Sequence, residues 1–134
     1  MPRRSIDSPR YHVPVAGFSQ MIAAPARGTF LFVSGLTART GDGTIVHVGD
    51  LGGQTRQVIE NMRTILAEAD ATLDDVVQIH TYLRDIERWP EVQAVWAEAW
   101  GAVYPASTAV QVSRLWDERQ LIEMEAVALV DREI

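Results

Sequence analysis

The segment Val76-Val-Gln-Ile-His-Thr-Tyr-Leu83 alternates, with His80 and Tyr82 on one face and Ile79, Thr81 and Leu83 on the other, the period-2 pattern of a strand. Two further alternating runs, Tyr104–Leu115 and Leu121–Val130, flank a polar turn and predict a long β-hairpin. In the second run Glu123 and Glu125 share one face, because residues two apart point the same way. Upstream, Ser19–Ala23 reads as a strand and Pro25–Gly28 as a turn into a second strand, Thr29–Ser34. Gly41-Asp-Gly43 is a turn, and Thr44–Val48 reads as a short edge strand.

Between these strands the apolar period changes. Val58, Met62, Ile65, Leu66 and Ala69 recur at three- and four-residue spacing, predicting a helix over about Asp50–Ala69. Gly52 and Gly53 are poor helix formers, so its firm part is expected to start after them. A second helix is predicted over about Ile86–Val103, with Trp89, Val92, Val95, Trp96 and Trp100 on it and Pro90 in its first turn. Residues 1–16, punctuated by Pro2, Pro9 and Pro14, read as an arm plus a short entry strand. This order predicts a single α+β domain over residues 1–134: an antiparallel or mixed sheet with both helices on one face. The other sheet face would be left apolar and in need of a partner.

At 134 residues and 47% hydrophobic, the chain can bury one sizeable core. Cysteine is absent, which excludes disulfides, thiolate nucleophiles and thiolate metal sites. All 12 basic residues are arginine, so neither a Schiff-base lysine nor covalently held pyridoxal phosphate is possible, and no cofactor is expected. The net charge of −6 argues against a nucleic-acid partner, which requires a clustered positive surface. His12, His47 and His80 are too scattered to suggest a metal site. No apolar h-region follows the early arginines and no segment has membrane-spanning length, so a cytoplasmic protein without a membrane partner is expected.

The C-terminal runs Tyr104-Pro-Ala-Ser-Thr-Ala-Val-Gln-Val-Ser-Arg-Leu115 and Leu121-Ile-Glu-Met-Glu-Ala-Val-Ala-Leu-Val130 resemble the Rid family (YjgF/YER057c/UK114), many of whose members are imine deaminases. Gly17-Phe-Ser-Gln20, Phe32-Val-Ser-Gly35, Gln54–Asn61, Leu73–Val77 and Tyr82-Leu-Arg-Asp85 match further family motifs in order, so the resemblance spans the chain from about Gly17. It implies a chorismate-mutase-like fold, a homotrimer, and small-molecule clefts between neighbouring subunits. It also implies a catalytic Glu123 that positions water, with Phe18, Gly35, Ala109 and Trp96 around the ligand.

One position departs from the pattern: Ser107 stands where the family has an arginine that forks onto a substrate carboxylate. One neutral hydroxyl bond replaces two charge-assisted ones, a loss of roughly 10²-fold or more in affinity for such a group. Arg39, just past the Ser-Gly turn, is the candidate to reach the same cleft. Each site residue also has a bland reading. Glu123 would be a cross-strand arginine partner, Ser107 and Thr108 ladder hydroxyls, Trp96 core, and Arg114 an ion-pair former. The residues thus point to hydrolysis of an enamine, imine or related labile bond, not of standard 2-iminopropanoate. The alternative is a non-catalytic ligand-binding or regulatory trimer; RNA cleavage ranks third.

Overall fold

A computed structural model describes residues 3–12, 17–101 and 103–134. The stretches of the expected N-terminal arm at 1–2 and 13–16 lie outside the described residues. The rest of the arm contains β1 (Arg4–Ile6), which pairs antiparallel with β2 (Met21–Ala23). Arg3 ties the arm to the body by donating to the carbonyls of Val76 and Val103.

The main sheet contains β3 (Thr29–Leu36), β4 (Val76–Leu83), β5 (Ala106–Gln111) and β6 (Ile122–Val130) in the spatial order β3-β6-β4-β5. β6 is antiparallel to both neighbours, whereas β4 and β5 are parallel, so the sheet is mixed. The two C-terminal runs are therefore strands but not a hairpin, because β4 lies between them. Parallel β4 and β5 need a crossover, and the helix α2 (Trp89–Ala99) provides it. The connection from β5 to β6 then passes the end of β4, where Val112 N–H donates to the Leu83 carbonyl and Arg84 N–H to the Leu121 carbonyl.

Helix α1 (Leu51–Ala67) begins before Gly52 and Gly53, not after them. The Asp50 carboxylate caps it by accepting from Gly53 N–H at 3.0 Å. A Cβ on Gly53 would sit 2.7 Å from His47 Nδ1 and also strike the Asp50 carboxylate, so glycine is what lets the cap close. α2 follows a 3-10 turn at Ile86–Arg88 and stops at Ala99, short of Val103, because Trp100 adopts extended backbone. There its indole N–H donates to the Leu73 carbonyl at 3.2 Å. The edge strand expected at Thr44–Val48 reduces to one bridge between Arg39 and Ile45.

Both helices pack on one sheet face. Val58, Met62, Leu66, Trp96 and Trp100 meet Ile79, Leu83, Ile122 and Met124 in a continuous core. Each such side chain contributes about 1.5–3 kcal/mol through removal from water. The opposite face is mixed, with Val127 of the inner strand β6 beside both apolar and polar neighbours. Phe30 (52% exposed) and Phe32 (78%) lie on β3 and Val110 on β5, but Gln78, His80, Tyr82 and Glu125 form a polar centre between them. The expectation of an apolar open face is corrected accordingly: the outward positions of β4 and β6 carry this polar set alongside Val127.

Candidate functional site

Register brings Glu123 of β6 opposite Tyr82 of β4, while β3 crosses its other side with Leu36 paired to Met124. The β3 ladder is irregular between Val33 and Leu36, and Gly35 lies in that break. A Cβ on Gly35 would stand 2.5 Å from Glu123 Oε2 and 2.9 Å from its Cδ, so the carboxylate lies directly against the glycine backbone. Here the absence of a side chain makes the site: only glycine leaves the carboxylate room. No arginine reaches Glu123 among the described residues, so its reading as a cross-strand ion-pair partner is not supported.

The two glutamates sit in different environments despite sharing a face. Burial pushes the Glu123 carboxyl above its ordinary range, and the nearby charge of Glu125 adds to this. Glu125 is held below its ordinary range because it accepts the Tyr82 hydroxyl at 2.5 Å and faces His80 Nδ1 at 3.2 Å. The same bond raises the Tyr82 phenol. Carboxylates pushed apart in this way divide the work of proton exchange and fixed charge: Glu123 is suited to trade protons and Glu125 to stay ionised. His80 and Tyr82 were recognised from the sequence only as sharing a face; their bonding to Glu125 follows from the β4–β6 register.

The other expected site residues lie elsewhere on the chain. Ser107 pairs with the fully buried Ile79 and so belongs to the opposite sheet face from Glu123. Phe18 joins it because Ser19 bridges to Ala106 and donates its hydroxyl to the Tyr104 carbonyl at 2.8 Å. Phe18 and Ser107 line an open cavity of about 430 Å³, together with Asp7 and Tyr11 of the arm and Gln20 just before β2. Ala109 pairs with Thr81 on β5, the sheet's edge strand.

Arg39 shares a groove with Gly35, Thr37 and Asn61. Its guanidinium donates to the Gly43 carbonyl at 2.7 Å. Trp96 is 0% exposed within the core, which corrects its expected place on a cleft wall. Arg114 donates to the Leu115 carbonyl and forms no ion pair among the described residues. A single chain thus groups Glu123 with Gly35 and Phe18 with Ser107, but not the two pairs with each other. The arm residues Asp7 and Tyr11 had no signal in the sequence, since a polar, proline-punctuated stretch reads as a tail.

Gly35→Ala gives a direct check on this geometry. The added methyl meets the far end of a flexible side chain, so Glu123 is expected to swing away while the backbone stays in place. Calorimetry should show a melting temperature within a few degrees of the parent. A crystal structure of the variant should show the carboxylate displaced, and turnover of any proven substrate should fall about 10-fold or more. An undisplaced Glu123 would contradict the contact.

Residues 10–130 match the family described as Endoribonuclease L-PSP. A RutC family protein of Pyrococcus abyssi is 42% identical over 118 residues, 86% of this chain and 87% of that protein. The 3-aminoacrylate deaminase RutC of Acinetobacter baylyi is 36% identical over 109 residues, covering 81% of this chain and 86% of the relative. Among solved structures, YyfB of Yersinia pestis, a Rid family protein of unknown function, superposes with a TM-score of 0.88 at 32% identity. That match covers 97% of this chain and 100% of the other.

Proposed function

We propose a function on the premise that this chain belongs to the endoribonuclease L-PSP family, the Rid or YjgF/YER057c/UK114 group. The protein binds a small organic molecule at clefts between the subunits of a homotrimer and hydrolyses its enamine or imine bond. The observation that carries this reading is Glu123, half-buried against Gly35 with its carboxyl raised by burial. Such a group can take a proton from water as the water adds to an imine carbon, and can return it to the departing nitrogen. The deaminase relative supports this reaction class. The trimer is supported by the separation of Glu123 from Ser107 and Phe18 within one protomer, since a cleft holding both pairs needs a second copy. The exposed Phe30 and Phe32, ring centroids 6.1 Å apart, supply the apolar margin for that contact.

The substrate is not expected to be 2-iminopropanoate, because Ser107 offers no bidentate cation for its carboxylate. The test is ammonium release from a panel: 3-aminoacrylate, 2-iminopropanoate, and imines made in situ by amine oxidases. At least one of the others should be accelerated, whereas 2-iminopropanoate should decay at similar rates with and without the protein. Sedimentation equilibrium at micromolar concentration should return three times the 14.9 kDa chain mass. A monomer or dimer mass would remove the intersubunit cleft. Acceleration of no member of the panel would favour a second reading, a non-catalytic ligand-binding trimer, which the replacement of the cleft arginine by Ser107 supports.

A further inference from the structure

The cavity beside Ser107 differs from a carboxylate-binding pocket by more than one missing arginine. Its described lining contains Asp7, Tyr11, Phe18, Gln20 and Ser107, and Asp7 is its one charged side chain among those residues. The Asp7 carboxylate is held in place by neutral donors, the Gln20 N–H at 2.7 Å and the Ser5 hydroxyl at 3.2 Å. Gln20 is itself fixed, accepting from Ser8 N–H at 2.9 Å and donating to the His12 carbonyl at 3.1 Å. No arginine pairs with Asp7 among the described residues. The charge that a family arginine would make positive is therefore negative here, and the ring of Phe18 adds a surface that attracts cations.

We propose that this pocket selects a cationic ligand lacking a carboxylate, a protonated imine or primary amine, with Asp7 as its charge partner. The inference rests on the hydrolytic reading for its chemistry, but the binding preference stands independently of turnover. The reaction balances without a redox partner: R–CH=NH₂⁺ + H₂O gives R–CHO + NH₄⁺. Water's oxygen becomes the carbonyl oxygen, and both of its protons leave with the nitrogen. A reaction that oxidises primary amines is the class that must supply this substrate. An exposed carboxylate contributes modestly to any one pair. The amine gains this attraction while a carboxylate meets repulsion, so the two ends of a charge series should separate by about 10-fold.

Titration calorimetry with benzylamine, benzyl alcohol and benzoate tests the preference at constant ring size. The expected order of affinity is amine, alcohol, benzoate, with about 10-fold between the ends. Asp7→Asn should abolish the amine's advantage, and Ser107→Arg should reverse the order. Benzoate binding as tightly as the amine to the unaltered protein, or no probe binding at millimolar concentration, overturns the assignment. Indifference of the order to Asp7→Asn overturns it as well. In a parallel arm, an amine oxidase converts benzylamine to its imine, whose hydrolysis the trimer should accelerate. Amine preference without acceleration would sustain the pocket assignment and defeat the hydrolytic reading. Acceleration confined to carboxylated imines would do the opposite.

Discussion

Glu123→Gln is expected to lower turnover of a hydrolysed imine or enamine by about 10²-fold or more, with fold and subunit mass unchanged. The amide keeps the shape that lies against Gly35 but can neither accept nor return a proton. The carboxyl is raised by burial first and by the Glu125 charge second. A raised value means that the protonated form is favoured in the folded chain. That contribution to stability is fully present below the unfolded pKa and is lost as pH rises through the folded one. At neutral pH, Glu123→Gln should therefore melt at the same temperature as the parent or slightly above it.

Glu125→Gln should behave in the opposite way. Its carboxyl is lowered by the Tyr82 and His80 bonds, so its contribution is present above the unfolded pKa and lost as pH falls through the folded one. The substitution should reduce stability at neutral pH while changing turnover far less. The pH dependence of kcat and thermal melts of both variants provide the measurement. Unchanged turnover in Glu123→Gln on a proven substrate would make that carboxylate structural.

Trp96→Ala should cost about 3–5 kcal/mol of stability, read as a lower denaturant midpoint with an unchanged slope. The ring is fully buried between Trp89 and Trp100, with centroids 5.7 and 5.0 Å away, so its loss opens a cavity between helix and sheet. The indole N–H has no hydrogen-bond partner among the described residues, and a buried donor left unsatisfied costs about 1–3 kcal/mol. Trp96→Phe removes that liability along with part of the volume, so it should cost clearly less than Trp96→Ala. A Trp96→Ala protein as stable as the parent but defective in ligand binding would return the side chain to a cleft wall.

The strands and helices were legible because each rests on a local period. Val76–Leu83 matches β4 at both ends, since alternation runs from Gln78 to Leu83 and Asp74-Asp75 precedes the strand in a 3-10 turn. The placing of Glu123 and Glu125 on one face followed from the same period. Neighbour relations were not legible in this way. An alternating run shows that it is a strand and not which strand it pairs with, so β5 and β6, separated by a polar turn, read as a hairpin. Only the crossover through α2, which sets β5 parallel to β4, places β4 between them.

Helix ends also depended on contacts outside their own pattern. Gly52 and Gly53 argue locally against a helix, but the Asp50 cap closing on Gly53 outweighs their propensity. Trp96 and Trp100 have the spacing of a helix face, and spacing alone does not distinguish a core from a cleft.

By itself, the sequence determined the α+β class, the family, and the chemistry ruled out by the absence of lysine and cysteine. These depend on residue identity and on short periods. The tertiary structure alone decided that Glu123 lies against Gly35, that Tyr82 and His80 bond to Glu125, and that Asp7 and Ser107 line one cavity. Each of these contacts joins residues far apart in the chain. Their proximity is set by strand register and sheet order, which arise from burying the whole core at once.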